Sequence, residues 1–111
     1  MNQPAASVYH AHVYFDESTL SDAKNLCVAT RDKFNIAMGT VHEKNVGPHP
    51  CWSCQLTLPA EILGPVIEFM NFRRQGLTVF IHPLTGNDLI DHTEYLIWLG
   101  ESKQLKIDQF L

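Results

Sequence analysis

Apolar and polar residues alternate through Val8-Tyr9-His10-Ala11-His12-Val13-Tyr14-Phe15, the period-two pattern of a strand. Tyr9, Ala11, Val13 and Phe15 share the face expected to pack on helices, while Val8, His10, His12 and Tyr14 share the other. After Asp16-Glu17-Ser18-Thr19 the spacing becomes three-four, with Leu20, Ala23, Cys27, Thr30 and Phe34 forming the inward stripe of a helix to about Lys33. Ser18 or Thr19 is its expected cap, and Glu17 and Asp22 place negative charge near its N-terminal end. A second strand is expected from Ile36 to His42, with Gly39 marking a bulge or a close backbone approach.

The segment from Glu43 to Pro50 reads as a loop centred on Gly47-Pro48-His49-Pro50, whose two prolines restrict the backbone around His49. In a third strand, Cys51 to Leu58, the residues Trp52, Cys54, Leu56 and Leu58 face the helices; Ser53, Gln55 and Thr57 face away. Pro59 opens a second helix that buries Ile62, Val66, Phe69 and Met70. Gly64-Pro65 predicts a kink or restart within it, and Gly76 its C-terminal cap. The fourth strand, Leu77 to His82, turns Leu77, Val79 and Ile81 inward and Thr78, Phe80 and His82 to the open side. Tyr95 to Leu99 is an optional fifth strand, and Leu105 to Leu111 alternates too weakly to assign. Met1 to Ser7 reads as a flexible lead-in to a single domain over residues 8–111.

Strand, helix, strand, strand, helix, strand is the α+β, ferredoxin-like βαββαβ order: an antiparallel sheet with helices on one face. That topology sets the first strand beside the fourth and antiparallel to it. His10, His12 and His82 are therefore expected at one edge of the open face, although 70 positions separate His12 from His82. A turn at Thr85-Gly86-Asn87-Asp88 follows, with Asp91 and His92 just beyond it. Its expected work is to aim His82 and His92.

Composition narrows the function classes. A formal net charge of −4, with no basic cluster beyond Arg73-Arg74, argues against nucleic acid or an anionic membrane surface as partner. Neither a membrane-spanning apolar run nor a signal pattern is present, and three cysteines without a signal read as reduced thiols, so a cytoplasmic location is expected. Cys51 and Cys54 stand three apart on a strand, pointing to opposite faces, so they read as small core residues rather than a redox or zinc pair. Six histidines are the compositional anomaly, and neutral imidazole is both a common metal ligand and an acid–base group near neutral pH.

Tyr9 to Phe15, Gly47-Pro48-His49-Pro50, His82 to Asp88, Asp91-His92 and Trp98-Leu99-Gly100, in that order, resemble the small DOPA 4,5-dioxygenase family of fungi and bacteria. The resemblance runs from about residue 8 to residue 102. Where that family usually has Thr-Gly-Asp, Asn87 follows Gly86 here and the acid is Asp88. The resemblance implies a ferredoxin-like fold, often a homodimer through the open sheet face. It also implies ring-opening of a catechol by O2, as co-substrate, at a non-haem iron.

Such chemistry needs Fe(II) held from one side by two histidines and a carboxylate or by three histidines; zinc is the alternative metal on purification. His10, His12 and His82 are the candidate ligands, His10 the least certain of them. His92 and His49 are the candidate acid–base or substrate-anchoring groups. Asp88 and Asp91 are candidates to orient a ligating imidazole, and Arg74 and Gln55 to meet substrate. For Arg74 a helix-dipole role competes equally. His42 reads as a surface histidine, and Trp52 and Trp98 as core. Beside the enzyme stands a second reading, a dimeric ferredoxin-like metal- or small-molecule-binding module without turnover.

Overall fold

The computed structural model describes residues 5–111. The elements follow in the order β1 (Val8–Phe15), α1 (Leu20–Phe34), β2 (Ala37–His42), β3 (Trp52–Pro59), α2 (Leu63–Arg73), β4 (Thr78–Pro83), α3 (Asp88–Asp91) and β5 (Ile97–Leu99). They form one antiparallel sheet in the order β2-β3-β1-β4-β5, the ferredoxin-like arrangement with the fifth strand added beside β4. Helices α1 and α2 cover one face. Ala11, Val13 and Phe15 from β1, Cys54, Leu56 and Leu58 from β3, and Val79 and Ile81 from β4 meet Ala23, Leu26 and Cys27 of α1 and Val66 and Met70 of α2 there.

The strand faces fall as the alternation predicts, because a one-residue slip would turn every inward side chain outward. Gly39 lies where the β2–β3 register shifts, between Met38 and Val41, so the ladder is irregular at the glycine. Several local details differ from expectation. Thr19 stands at the N-cap position of α1 without a side-chain cap bond to it; the capping bonds fall one turn earlier, where the Asp16 carboxylate accepts the amides of Ser18 and Thr19 and the Thr19 hydroxyl accepts the Asp16 amide, at the head of a short 3-10 turn, Glu17–Thr19, that leads into α1. Leu26 completes the buried stripe of α1. A similar 3-10 turn, Ala60–Ile62, precedes α2, so Pro65 falls in the first helical turn, where an amide has no intrahelical partner and proline breaks nothing. Helix α2 ends at Arg73 with Arg74 as its cap residue; Gln75 and Gly76 follow with φ of 49° and 82°, so Gly76 belongs to the reversing turn rather than the cap.

Of the expected flexible lead-in, residues 1–4 lie outside the described residues, and the Ser7 carbonyl accepts the Ala60 amide at 2.9 Å. Cys27 and Cys54 are buried free thiols in the core, whereas Cys51 is half-buried ahead of β3. Among the described residues no helix is long and apolar enough to cross a membrane.

The core makes a stability prediction. Leu56, fully buried on a strand with neighbours on both sides, should lose about 2–5 kcal/mol on Leu56→Ala. Phe72 is 80% exposed on α2, and Phe72→Ala should change stability by no more than about 0.5 kcal/mol. Urea unfolding of both variants checks the contrast; equal losses would contradict this placement of the core.

Candidate metal centre

The β1–β4 register places the Cα of His10 directly opposite that of His82. His12, two residues along the same strand, reaches diagonally across, and its Nε2 stands 3.0 Å from Nε2 of His82. The His10 ring lies edge-on to both, with centroids 5.8 Å from His12 and 5.2 Å from His82. One ligand-capable nitrogen from each of the three lies within 4.8 Å of the others. Two nitrogens 3.0 Å apart are spaced as ligands of one ion that each bonds at ~2.0–2.1 Å. A set of three imidazoles suits iron or zinc, so the residues fit a metal.

Three further ring nitrogens, Nδ1 of His82, His92 and His49, have hydrogen-bond partners. Nδ1 of His82 lies 2.9 Å from the Pro83 carbonyl. A carbonyl only accepts, so Nδ1 carries the proton and Nε2 presents its lone pair, the usual support of a metal-ligating histidine. His92 Nδ1 is held in the same way, 2.7 Å from the Asp88 carbonyl. Short helix α3 makes that contact possible. Asn87 caps it by accepting the Ile90 amide, and the buried Asp91 carboxylate ties it back by accepting the amide and hydroxyl of Thr85. On the other side, Nδ1 of His49 lies 2.7 Å from the Tyr14 hydroxyl. The His49 and His12 rings are 4.2 Å apart and the His82 and His92 rings 4.1 Å, so five histidines line one surface.

Aromatic side chains build the rest. Phe80 is fully buried between the histidines, and Trp98 stacks on it at 4.7 Å from the neighbouring β5 position. The C-terminal segment folds over this face: the Phe110 ring packs at a tilt on His92 with centroids 4.6 Å apart, and the Lys106 amide donates to the Pro48 carbonyl at 2.8 Å. With the Pro48–His49 loop on one side and this tail on the other, His12 is 4%, His49 6%, His82 3% and His92 8% exposed. The open sheet face, through which the resemblance implies a dimer, is thus covered at these four histidines by the chain's own segments, while Val8, His10 and Gln55 stay half-buried.

Burial sets the charge state of the site. It holds His12 well below the ordinary histidine range, and neighbouring His49 and His82 push the same way. His49 is lowered to about 4, by burial first and then by the other histidines. His82 is lowered to about 4, chiefly by burial, against the opposing pull of the Pro83 carbonyl. His10, nearer solvent, is lowered by burial and by His92. These imidazoles are neutral at pH 7, the form that binds metal. Burial pushes the Tyr14 phenol up, so its proton stays on.

The structure thus brings together His10, His12, His82, His49 and His92. Gln55 is the β3 partner of His12 and lies beside it, bonded through Nε2 to Thr57. The two acids take other places. Asp88 is exposed, and its backbone carbonyl, not its carboxylate, orients His92. The Asp91 carboxylate is occupied by Thr85 and fastens the loop. Arg74 bonds the Leu77 carbonyl and Asn71 at the far end of β4 from His82, away from the five histidines. Its guanidinium fills the space beside Gly100, where a Cβ would collide with it. His42 ends β2 opposite Ser53, outside the five. Trp98 is not core: its pairing with Phe80 puts it on the histidine face, a position that alternation along β5 would have shown. Tyr14 was placed on this face without a role. Phe110 was missed, because an irregular tail has no periodicity to read.

The fold and site together define a ferredoxin-like protein with a candidate three-histidine metal centre on its open sheet face. The chain belongs to the Dopa 4,5-dioxygenase family, whose model matches residues 9–109. A curated relative, DOPA 4,5-dioxygenase of Amanita muscaria, is 26% identical over 109 residues, covering 89% of this chain and 47% of the relative. The chain therefore spans about half the length of that curated relative. The crystal structure of a candidate dioxygenase from Nostoc punctiforme matches with a TM-score of 0.80 at 29% identity, over 93% of this chain and 90% of that one.

The depressed histidines give stability a pH dependence with a definite sign. In the unfolded chain they take up protons near pH 6.5, whereas in the fold His49 and His82 wait until about 4. Between those values the unfolded state binds more protons, so stability is complete above about pH 6.5 and falls as pH drops toward 4. Urea midpoints of the metal-free protein should therefore decline from pH 7 to pH 5. A midpoint unchanged over that interval would contradict the buried, neutral state of the cluster.

Proposed function

We propose that this protein is an extradiol-type dioxygenase that opens a catechol-like ring with dioxygen. The observation that carries the reading is the convergence of His10, His12 and His82 beside two further oriented histidines. His10, His12 and His82 would hold the metal, iron(II) in this reading and zinc as the alternative occupant. The metal, when bound, supplies a Lewis acid for the catechol oxygens and an electron source for dioxygen. His92 and His49 handle protons: the substrate must lose its second hydroxyl proton as it binds, and the opened product must regain one. Trp98, half-buried and backed by the fully buried Phe80, offers an apolar face to the ring. Neither carboxylate of the Asp88–Asp91 loop belongs to the ligand group, so the three-histidine alternative is the one adopted. The substrate class, DOPA-like, is carried over from the name of the Amanita relative. A cytoplasmic location rests on three free cysteines. A homodimer, with the open sheet face as its interface, rests on the family resemblance and on the half-buried Val8, His10 and Gln55 of that face.

The close cover over the histidines favours one second reading, a metal- or small-molecule-binding module without turnover. Anaerobic loading of untagged protein with Fe(II), followed by oxygen uptake with substituted catechols, separates the two. The dioxygenase reading expects one metal per chain and ring-opened product. His12→Ala and His82→Ala should lose the metal with the fold intact. His92→Ala should keep it and lose about 10²–10⁴-fold in turnover. Stoichiometric iron with no turnover of any catechol would leave the binding module in place of the enzyme.

A further inference from the structure

The two acid–base histidines are not equivalent, and hydrogen-bond direction separates them. Nδ1 of His92 faces the Asp88 carbonyl at 2.7 Å. That oxygen can only accept, so Nδ1 holds the proton and Nε2 carries a lone pair. His49 faces a different kind of partner. Its Nδ1 lies 2.7 Å from the Tyr14 hydroxyl, a group that can donate or accept. Tyr14 is 3% exposed, and among the described residues His49 is its recorded hydrogen-bond partner. Were Nδ1 of His49 the donor, the buried phenol proton would need a second acceptor, and among the described residues no group other than His49 bonds the Tyr14 hydroxyl. The opposite direction satisfies both groups: the phenol donates, Nδ1 accepts, and the ring proton of His49 sits on Nε2.

We propose that Tyr14 is a positioning residue that holds His49 as its Nε2–H tautomer, giving the site one histidine that donates and another, His92, that accepts. This rests on the dioxygenase reading for its use but not for its geometry. In that use, Nε2 of His92 takes the proton of a catechol hydroxyl and becomes an imidazolium, still donating from Nδ1 to Asp88. The electron pair of the broken O–H bond stays on the catechol oxygen. His49, directed away from Tyr14 through Nε2–H, donates a hydrogen bond to the anionic oxygen so formed. Two histidines of one tautomer could not divide the work in this way.

The tautomers are readable without metal or turnover. Long-range ¹H–¹⁵N correlation spectra of metal-free, ¹⁵N-labelled protein at pH 7 distinguish a protonated ring nitrogen from a bare one. The expected pattern is His49 protonated at Nε2 and His92 at Nδ1. In Tyr14→Phe, His49 should lose its fixed form and show averaged nitrogens, with His92 unchanged. An Nδ1–H form of His49 in the wild type would overturn the proposal, as would a Tyr14→Phe spectrum that leaves His49 unaltered. The wild-type spectrum decides the direction of the bond even should the variant fail to fold. In iron-loaded enzyme, Tyr14→Phe should lower kcat about 10–100-fold with metal content and KM unchanged. An unchanged kcat would overturn the role of Tyr14 in turnover. A wild-type protein with these tautomers and no turnover would defeat the dioxygenase reading while leaving the tautomer assignment standing.

Discussion

The site depends on one constraint, the antiparallel register of β1 on β4. Register is pinned by the other face of the same strands. Ala11, Val13, Val79 and Ile81 are fully buried against α1 and α2, and a shift by one residue would drive them to the open side. Hydrophobic burial thus fixes, at no separate cost, that His10 stands opposite His82 and that His12 reaches it diagonally. The chemistry-bearing face is set by the face that carries none. Sites on strands inherit the rigidity of the ladder, whereas His49 and His92 come from irregular segments and need hydrogen bonds of their own.

Those bonds explain how residues without obvious catalytic character serve the site. Asp91 fastens the Thr85 loop, Asn87 caps α3, and the Asp88 carbonyl then turns the His92 ring. The Pro83 carbonyl does the same for His82. Backbone carbonyls are well suited to the task, because they accept only and so assign the ring proton without ambiguity. Burial adds the second condition. A cluster of imidazoles so close would repel itself if charged, and desolvation keeps it neutral near pH 7. Neutral rings need shed no net charge to bind a metal; because Nε2 of His82 is bare, the His12–His82 bond puts the His12 proton on Nε2, and that proton moves to Nδ1 when the ion takes its place.

Much of this was legible in the sequence because a strand's alternation is a strong and local signal. Period two placed His10, His12 and Tyr14 on one side of β1 and Thr78, Phe80 and His82 on one side of β4, and the element order joined the two on the same open face. The same rule applied to the short β5 would have moved Trp98 from the core to the histidine face. What was not legible belongs to irregular backbone. The Asp16 cap and the Gln75-Gly76 turn depend on φ and ψ values that composition underdetermines. The Phe110–His92 contact and the Lys106–Pro48 bond join segments far apart in the chain with no periodic pattern in either. The acids near His92 drew attention as ligand supports because of their type. Their actual contacts are those of a loop fastener, Asp91, and of a backbone carbonyl, Asp88.

The central claim is that three imidazoles, brought together by strand register, hold one metal ion on the open face. X-ray absorption spectroscopy of the protein loaded with a single equivalent of Fe(II) counts imidazole ligands through their outer-shell scattering. The account predicts three imidazoles in the wild-type protein and no ordered multi-imidazole site in His82→Ala. Iron bound by fewer than two imidazoles in the wild type, or a spectrum that His82→Ala leaves unchanged, would contradict it.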